Sequence, residues 1–215
     1  TFNTTASFLN SAGNVCTSGC GWGAWDRSSG DIYLSYGTAD VFKGDVSFLA
    51  YPQKDIATIQ PSYSAGTTTT YEGNITLRVE GEYSQVGTGG GASILKPLKT
   101  ITSVACVGGG YTCDGWSDKD KATYTFKNFT QQGSTTTTNL DGGTGSMIKF
   151  DNASFDNPVT VKFSQLYLKN STFKENSTFE NDAEGSATYY VYNSTSAGGN
   201  TFEKDVTLKT SGDKY

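Results

Sequence analysis

Four cysteines carry the most committed chemistry in this chain of 215 residues. They fall in two close pairs, Cys16 with Cys20 and Cys106 with Cys113. A zinc site at these spacings would need further donors, and the chain has no His to supply them. Two local disulfides are the expected chemistry, because close pairs in a polar, Thr- and Asn-rich chain fit a secreted protein. Short loops gain little from closure entropy, so each bridge would stiffen its own loop more than hold the fold. All three tryptophans follow these pairs: Trp22 and Trp25 after Cys20, and Trp116 after Cys113. Two readings stand for them. They offer a binding surface, since Trp dominates recognition hot spots, or each packs over its own disulfide, since indoles are mostly buried.

The absence of His also removes Ser-His-Asp and Cys-His machinery. A glycoside hydrolase would need two carboxylates held about 5–9.5 Å apart. Three pairs are close in sequence: Asp151 with Asp156, Asp118 with Asp120, and Asp182 with Glu184. The first lies in Asp-Asn steps, which turns use structurally, and the others read as solvated loop charges. A lyase would want basic residues beside a cation, and the only arginines are Arg27 and Arg78. No catalytic residue, cofactor or metal is assigned. Gly142-Gly143-Thr144-Gly145 occurs once, without the tandem repetition that marks calcium-binding repeats. No Gly cluster is closed by the Lys-Ser/Thr step of a phosphate loop.

The elements that would position these groups are strands. Val159 to Phe163, Gln165 to Leu168 and Ile75 to Val79 alternate apolar with polar, and Tyr189 to Tyr192 is rich in strand formers. Gly-rich punctuation separates such runs, and no stretch carries a helical period. A short phrase recurs at Phe42, Tyr71, Phe126, Phe150, Phe173 and Phe202: an aromatic, a polar triplet, then small or β-branched residues. An imperfect period written in strand formers points to a solenoid of stacked β turns. Phe150, Phe173 and Phe202 are expected to stack in one parallel ladder. The Thr runs Thr67 to Thr70 and Thr135 to Thr138 recur in similar company.

Composition agrees. Charged residues are 17% and aromatics 13%, the opposite of a disordered balance. A net charge of −5 disfavours nucleic acid and anionic membrane, which want a basic stripe. No apolar run approaches the roughly 18 residues of a spanning helix, so no membrane insertion by this segment is expected. Seven Asn-x-Ser/Thr sequons occur, at Asn3, Asn74, Asn128, Asn152, Asn170, Asn176 and Asn193. Glycosylation is one reading. The one adopted is Asn in turns, capping backbone.

Phe-Asp-Asn-Ala-Ser-Phe from Phe150, Phe-Lys-Glu-Asn-Ser-Thr-Phe from Phe173 and Phe-Glu-Lys-Asp-Val-Thr-Leu from Phe202 resemble passenger-domain repeats of bacterial autotransporters. They are most similar to the vacuolating-cytotoxin-like passengers of Helicobacter. The resemblance runs mainly from Phe126 to Leu208. It implies an all-β, right-handed parallel β-helix, here with irregular Cys/Gly loops, secreted or held on the bacterial outer surface. It implies host contact and colonisation without catalysis. The expectation is a single solenoid segment over residues 1–215 of a longer passenger, meeting a host-cell surface protein or glycan. The toxin's membrane activity does not carry over, because its hydrophobic Gly-x-x-x-Gly segment is missing. The alternative is a self-standing, lectin-like β-sandwich that binds through its Trp loops.

Peptide mass mapping without reduction should find Cys16–Cys20 and Cys106–Cys113 bridges. Cross-pairing or four free thiols would overturn the secreted-loop reading. Trp22→Ala or Trp116→Ala separates the two tryptophan roles. Packing alone lowers the melting temperature, whereas recognition weakens binding by about 2 kcal/mol or more.

Overall fold

Period-two alternation leaves one strand face for a core and the other for water. The computed structural model stacks such strands into a parallel β-solenoid. It describes residues 1–10, 30–35, 37–50, 57–79, 85–104, 122–133, 136–143, 145–181, 191–193 and 199–210. Among these, every strand pair is parallel and no helix occurs. The pairing excludes the β-sandwich alternative, whose sheets are antiparallel.

The strands form three sheets, each visited once per coil. Sheet 1 holds Ala6–Asn10, Val46–Ala50, Ile75–Val79, Ile101–Val104, Thr138–Asp141, Val159–Phe163, Ser177–Asn181 and Val206–Thr210. Sheet 2 holds Gly30–Tyr33, Ala57–Gln60, Gln85–Gly87, Thr123–Lys127, Met147–Asp151, Gln165–Lys169 and Val191–Asn193. Sheet 3 holds Val41–Phe42, Thr68–Tyr71, Ala92–Leu95, Phe129–Gln131, Ser154–Phe155, Thr172–Phe173 and Thr201–Phe202. The chain runs from sheet 1 to 2 to 3 and back to 1.

The coils are unequal. Val159 pairs with Ser177, a coil of 18 residues, whereas Ala6 pairs with Val46, a coil of 40. Much of the difference enters between sheets 1 and 2, where the link ranges from Ser164 alone to residues 11–29. The corner from sheet 3 to sheet 1 is three residues long in most coils, as at 43–45, 72–74, 156–158, 174–176 and 203–205. At two of these the neighbouring coils approach so closely that only glycine fits. A Cβ on Gly73 would strike the Gly44 carbonyl, and one on Gly44 would meet Thr4 and Thr5 backbone.

Inward side chains stack coil on coil. The main column in sheet 3 runs Phe2, Phe42, Tyr71, Leu95, Gln131, Phe155, Phe173, Phe202. Its rings lie nearly parallel, with centroids 4.7 Å apart for Phe2–Phe42, 5.2 Å for Phe42–Tyr71, 5.5 Å for Phe155–Phe173 and 5.2 Å for Phe173–Phe202. Such pairs add about 0.5–1.5 kcal/mol each beyond burial. The expected Phe150–Phe173–Phe202 ladder therefore fails at its first member. Phe150 sits in sheet 2, stacked on Phe126 at 5.2 Å, and Phe155 takes the place below Phe173. The two Thr runs are not equivalent either: Thr68–Tyr71 belongs to sheet 3, whereas Thr138 opens a strand of sheet 1.

Gln131 is a polar residue at a Phe position, fully buried. Its Nε2 donates to the Lys99 carbonyl at 2.9 Å, and its Oε1 accepts from Thr138 Oγ1 at 2.6 Å. Both ends of the amide are thus paired, as burial demands. Tyr71 is the other polar substitute. Its hydroxyl is buried and makes no hydrogen bond of ordinary geometry, with Ser93 the polar side chain beside it, and burial pushes its pKa far above the usual phenol range.

Phe155→Ala should cost about 3–5 kcal/mol, as large-to-small changes in a packed core do, read from the denaturant midpoint. Tyr71→Phe should leave stability equal or higher, because it removes an unpaired buried hydroxyl. A clear loss on Tyr71→Phe would show that the hydroxyl has a partner.

Candidate functional site

The corners hold the surface in place. Between sheets 2 and 3 the shortest turns place Asn128, Asn152 and Asn170 at φ of 50°, 58° and 49°. That left-handed region costs most L-residues about 1–2 kcal/mol, and Asn tolerates it best after Gly. The amides also form a ladder: Asn152 Nδ2 donates to Asn128 Oδ1 at 2.8 Å, and Asn128 Nδ2 donates to the Gly90 carbonyl at 2.8 Å. The corner from sheet 3 to sheet 1 uses a second ladder. Asp45 Oδ1 accepts from the Asn74 backbone N–H at 2.8 Å, and Asn74 Oδ1 accepts from the Thr100 N–H at 3.1 Å.

This placement bears on the sequons. Asn74 and Asn128 cap the backbone of neighbouring coils, as the turn reading expected, while the Asn152 amide bonds the Asn128 side chain instead. Asn3 and Asn176 are exposed, and the Asn193 side chain lies outside the described residues.

Beside the Asn ladder runs an open groove of about 490 Å³, lined by Thr68, Asn128, Thr130, Asn152, Ser154 and Thr172 among others. Its lining offers hydroxyls and amides and no charged or aromatic side chain. The outer face of sheet 1 carries a longer array. Ser7, Ser47, Thr76, Thr102, Asn139, Thr160, Thr178 and Thr207 stand in register on eight successive strands. Ser47 Oγ donates to Ser7 Oγ at 2.9 Å. Alongside, Asp141, Lys162, Glu180 and Lys209 alternate in sign from coil to coil, with Lys209 Nζ 3.7 Å from Glu180. The alternation leaves no concentrated basic stripe on this flank.

The carboxylates of the one described candidate pair are taken by lysines of the next coil. Asp151 lies 3.3 Å from Lys169 Nζ, and Asp156 lies 2.7 Å from Lys174 Nζ. The hydrogen bond that Lys174 donates to Asp156, and then that carboxylate's charge, hold the Lys174 ammonium above the usual lysine range, with Glu203 adding to it. Cys16, Cys20, Cys106, Cys113, Trp22, Trp25 and Trp116 lie outside the described residues, as do Asp118, Asp120, Asp182 and Glu184. In chain order both Cys pairs fall between a strand of sheet 1 and the next strand of sheet 2.

Fold and surface together define a three-sheet parallel β-solenoid with polar flanks. Comparison with protein-family models, with curated proteins and with solved structures gives no match to the chain.

The Asn corners can be dissected by substitution. Asn152→Gly keeps the left-handed turn and loses the amide rung. Asn152→Ala loses both, and should be about 1 kcal/mol less stable than the glycine variant. Equal stabilities by chemical denaturation would show that the turn conformation contributes nothing.

Proposed function

We propose that this chain is a non-enzymatic, passenger-type segment, displayed outside a bacterial cell, that contacts a host-cell surface protein or glycan through the outer face of sheet 1. The observation that carries the reading is the unbroken Ser/Thr/Asn column from Ser7 to Thr207. Rungs in a parallel sheet repeat at about 4.8 Å, so the column is a fixed-pitch row of hydrogen-bonding groups. Each hydroxyl both donates and accepts. Short side chains on a rigid sheet lose little rotamer freedom when they bind. The secreted setting is supported by the paired cysteines and by the passenger-like phrases. The non-enzymatic reading is supported by the missing His and by the lysine partners of Asp151 and Asp156.

The test is binding of the purified chain to host cells. Thr102→Arg with Thr160→Arg, on the proposed face, should weaken binding at least tenfold and leave the melting temperature nearly unchanged. Thr125→Arg, on a sheet 2 strand, should leave binding intact. Full binding by the folded double variant would overturn the reading.

A further inference from the structure

The groove beside the Asn ladder is built from three of the sequons. They are Asn128-Phe129-Thr130, Asn152-Ala153-Ser154 and Asn170-Ser171-Thr172. Residues two apart face the same side of a strand. The middle residue is buried each time, and the Asn and the hydroxyl both line the groove. Thr130 pairs with Ser154 and Ser154 with Thr172, so parallel register sets the three in line. The result is two adjoining columns, one of amides and one of hydroxyls.

A step in corner length gives the groove an end wall. The link from sheet 2 to sheet 3 is Asn128 alone, or two residues at 152–153 and 170–171, but it runs over 61–67 and 88–91 in two earlier coils. These two long links pack together. The Gly89 N–H donates to the Pro61 carbonyl at 2.9 Å, and the Gly91 N–H donates to the Ser62 carbonyl at 2.6 Å. Thr67 Oγ1 closes the first link on itself, donating to the Ser64 carbonyl at 2.7 Å. Gly66, Thr67 and Gly90 of these links line one end of the groove.

The lining keeps hydrogen-bonding capacity unused. The Thr130, Ser154 and Thr172 hydroxyls bond no described residue. The Asn ladder runs from the Gly90 carbonyl through Asn128 to Asn152 and stops there. Asn170 is next in line, yet its Oδ1 is buried at the groove wall without a partner. An unpaired buried carbonyl oxygen is costly. The last torsion of Asn is soft, so the amide can turn this oxygen toward a donor in the groove.

We propose that the groove binds a neutral, linear oligosaccharide laid along the solenoid axis. The lining decides the class of ligand. An apolar ligand would strip water from the hydroxyls and amides and return no hydrogen bond. Nucleic acid needs cations for its phosphates and rings for its bases, and the lining has neither. An extended peptide docks by pairing with a sheet edge, whereas each strand that lines the groove is already paired on both sides. A sugar chain carries hydroxyls that donate and accept, and Ser, Thr and Asn side chains match it in both roles. Strands of successive coils line the groove from Thr68 to Thr172. Four steps of about 4.8 Å span roughly 19 Å, room for a few sugar units. With no ring to stack on, affinity is low. The site is apart from the outer face of sheet 1, and the inference does not rest on the host-contact reading.

Titration with cellotetraose, laminaritetraose and chitotetraose tests it, read from the side-chain amide signals of Asn152 and Asn170 by nuclear magnetic resonance. At least one of the three should move those signals to saturation below about 10 mM. Thr130→Val with Thr172→Val keeps the side-chain shape and removes two groove hydroxyls. It should weaken that binding about fivefold or more at an unchanged melting temperature. Asn170→Gly, which keeps the left-handed turn, should weaken it too. Thr102→Arg with Thr160→Arg, on sheet 1, should bind the sugar normally, so failure of the host-contact reading and failure of this one are read separately. No saturable shift with any of the three sugars overturns the proposal, as does undiminished binding by the folded groove variants. Glycan attached to Asn128, Asn152 or Asn170 in the native chain would fill the groove and overturn it as well.

Discussion

Vertical register is the constraint on which this molecule rests. A parallel ladder tolerates only whole-residue steps, and a slip of one residue would turn each inward side chain to the solvent. Register is set at the three-residue corner between sheets 3 and 1, where an aromatic ends one strand and an inward side chain opens the next. Asp45 and Asn74 fasten that corner to the coil above through backbone N–H groups. Once the corner is fixed, the columns of rings and the columns of hydroxyls follow without further instruction. Length can then vary elsewhere. The link between sheets 1 and 2 ranges from one residue to nineteen, and the strand after it still enters in register.

Much of this was legible in the sequence, and its failures are instructive. Alternation in Val159–Phe163 and Ile75–Val79 marked real strands, and the recurring phrase marked a real solenoid. The phrase had merged two signals. Phe126, Phe150 and Leu168 precede the Asn turn between sheets 2 and 3, while Phe42, Tyr71, Phe155, Phe173 and Phe202 precede the corner into sheet 1. Both turns want an apolar residue, a polar step and an Asn or Asp, so their spellings overlap although their geometries differ. The tell was the position of the asparagine: two residues after the ring at the left-handed turn, three at the other in Tyr71 and Phe173. The 18-residue coil was hidden because insertions stretch most of its copies. Gln131 was invisible for a different reason: nothing local marks a glutamine whose partners are the Lys99 carbonyl and Thr138.

The surface was legible in kind, less so in detail. A Thr-rich flank facing solvent follows from alternation alone. That its seven hydroxyls and the Asn139 amide fall on one line through eight strands depends on coil lengths that the sequence conceals. Asp151 and Asp156 illustrate the converse. Five residues apart in sequence, they read as a pair, but each faces a lysine of the next coil and serves the stack.

The aromatic column has a gap in its middle. Leu95 and Gln131 separate the rings of Phe2, Phe42 and Tyr71 from those of Phe155, Phe173 and Phe202. Strand hydrogen bonds in a solenoid run along its axis, so tension along that axis loads the coil interfaces in series. A chain of nearest-neighbour interfaces is as strong as its weakest member. Pulled from its ends, the stack would lean on strand hydrogen bonds without ring contacts in that column between Tyr71 and Gln131, while the Phe129–Phe155 contact at 5.6 Å still ties the Gln131 coil to the next.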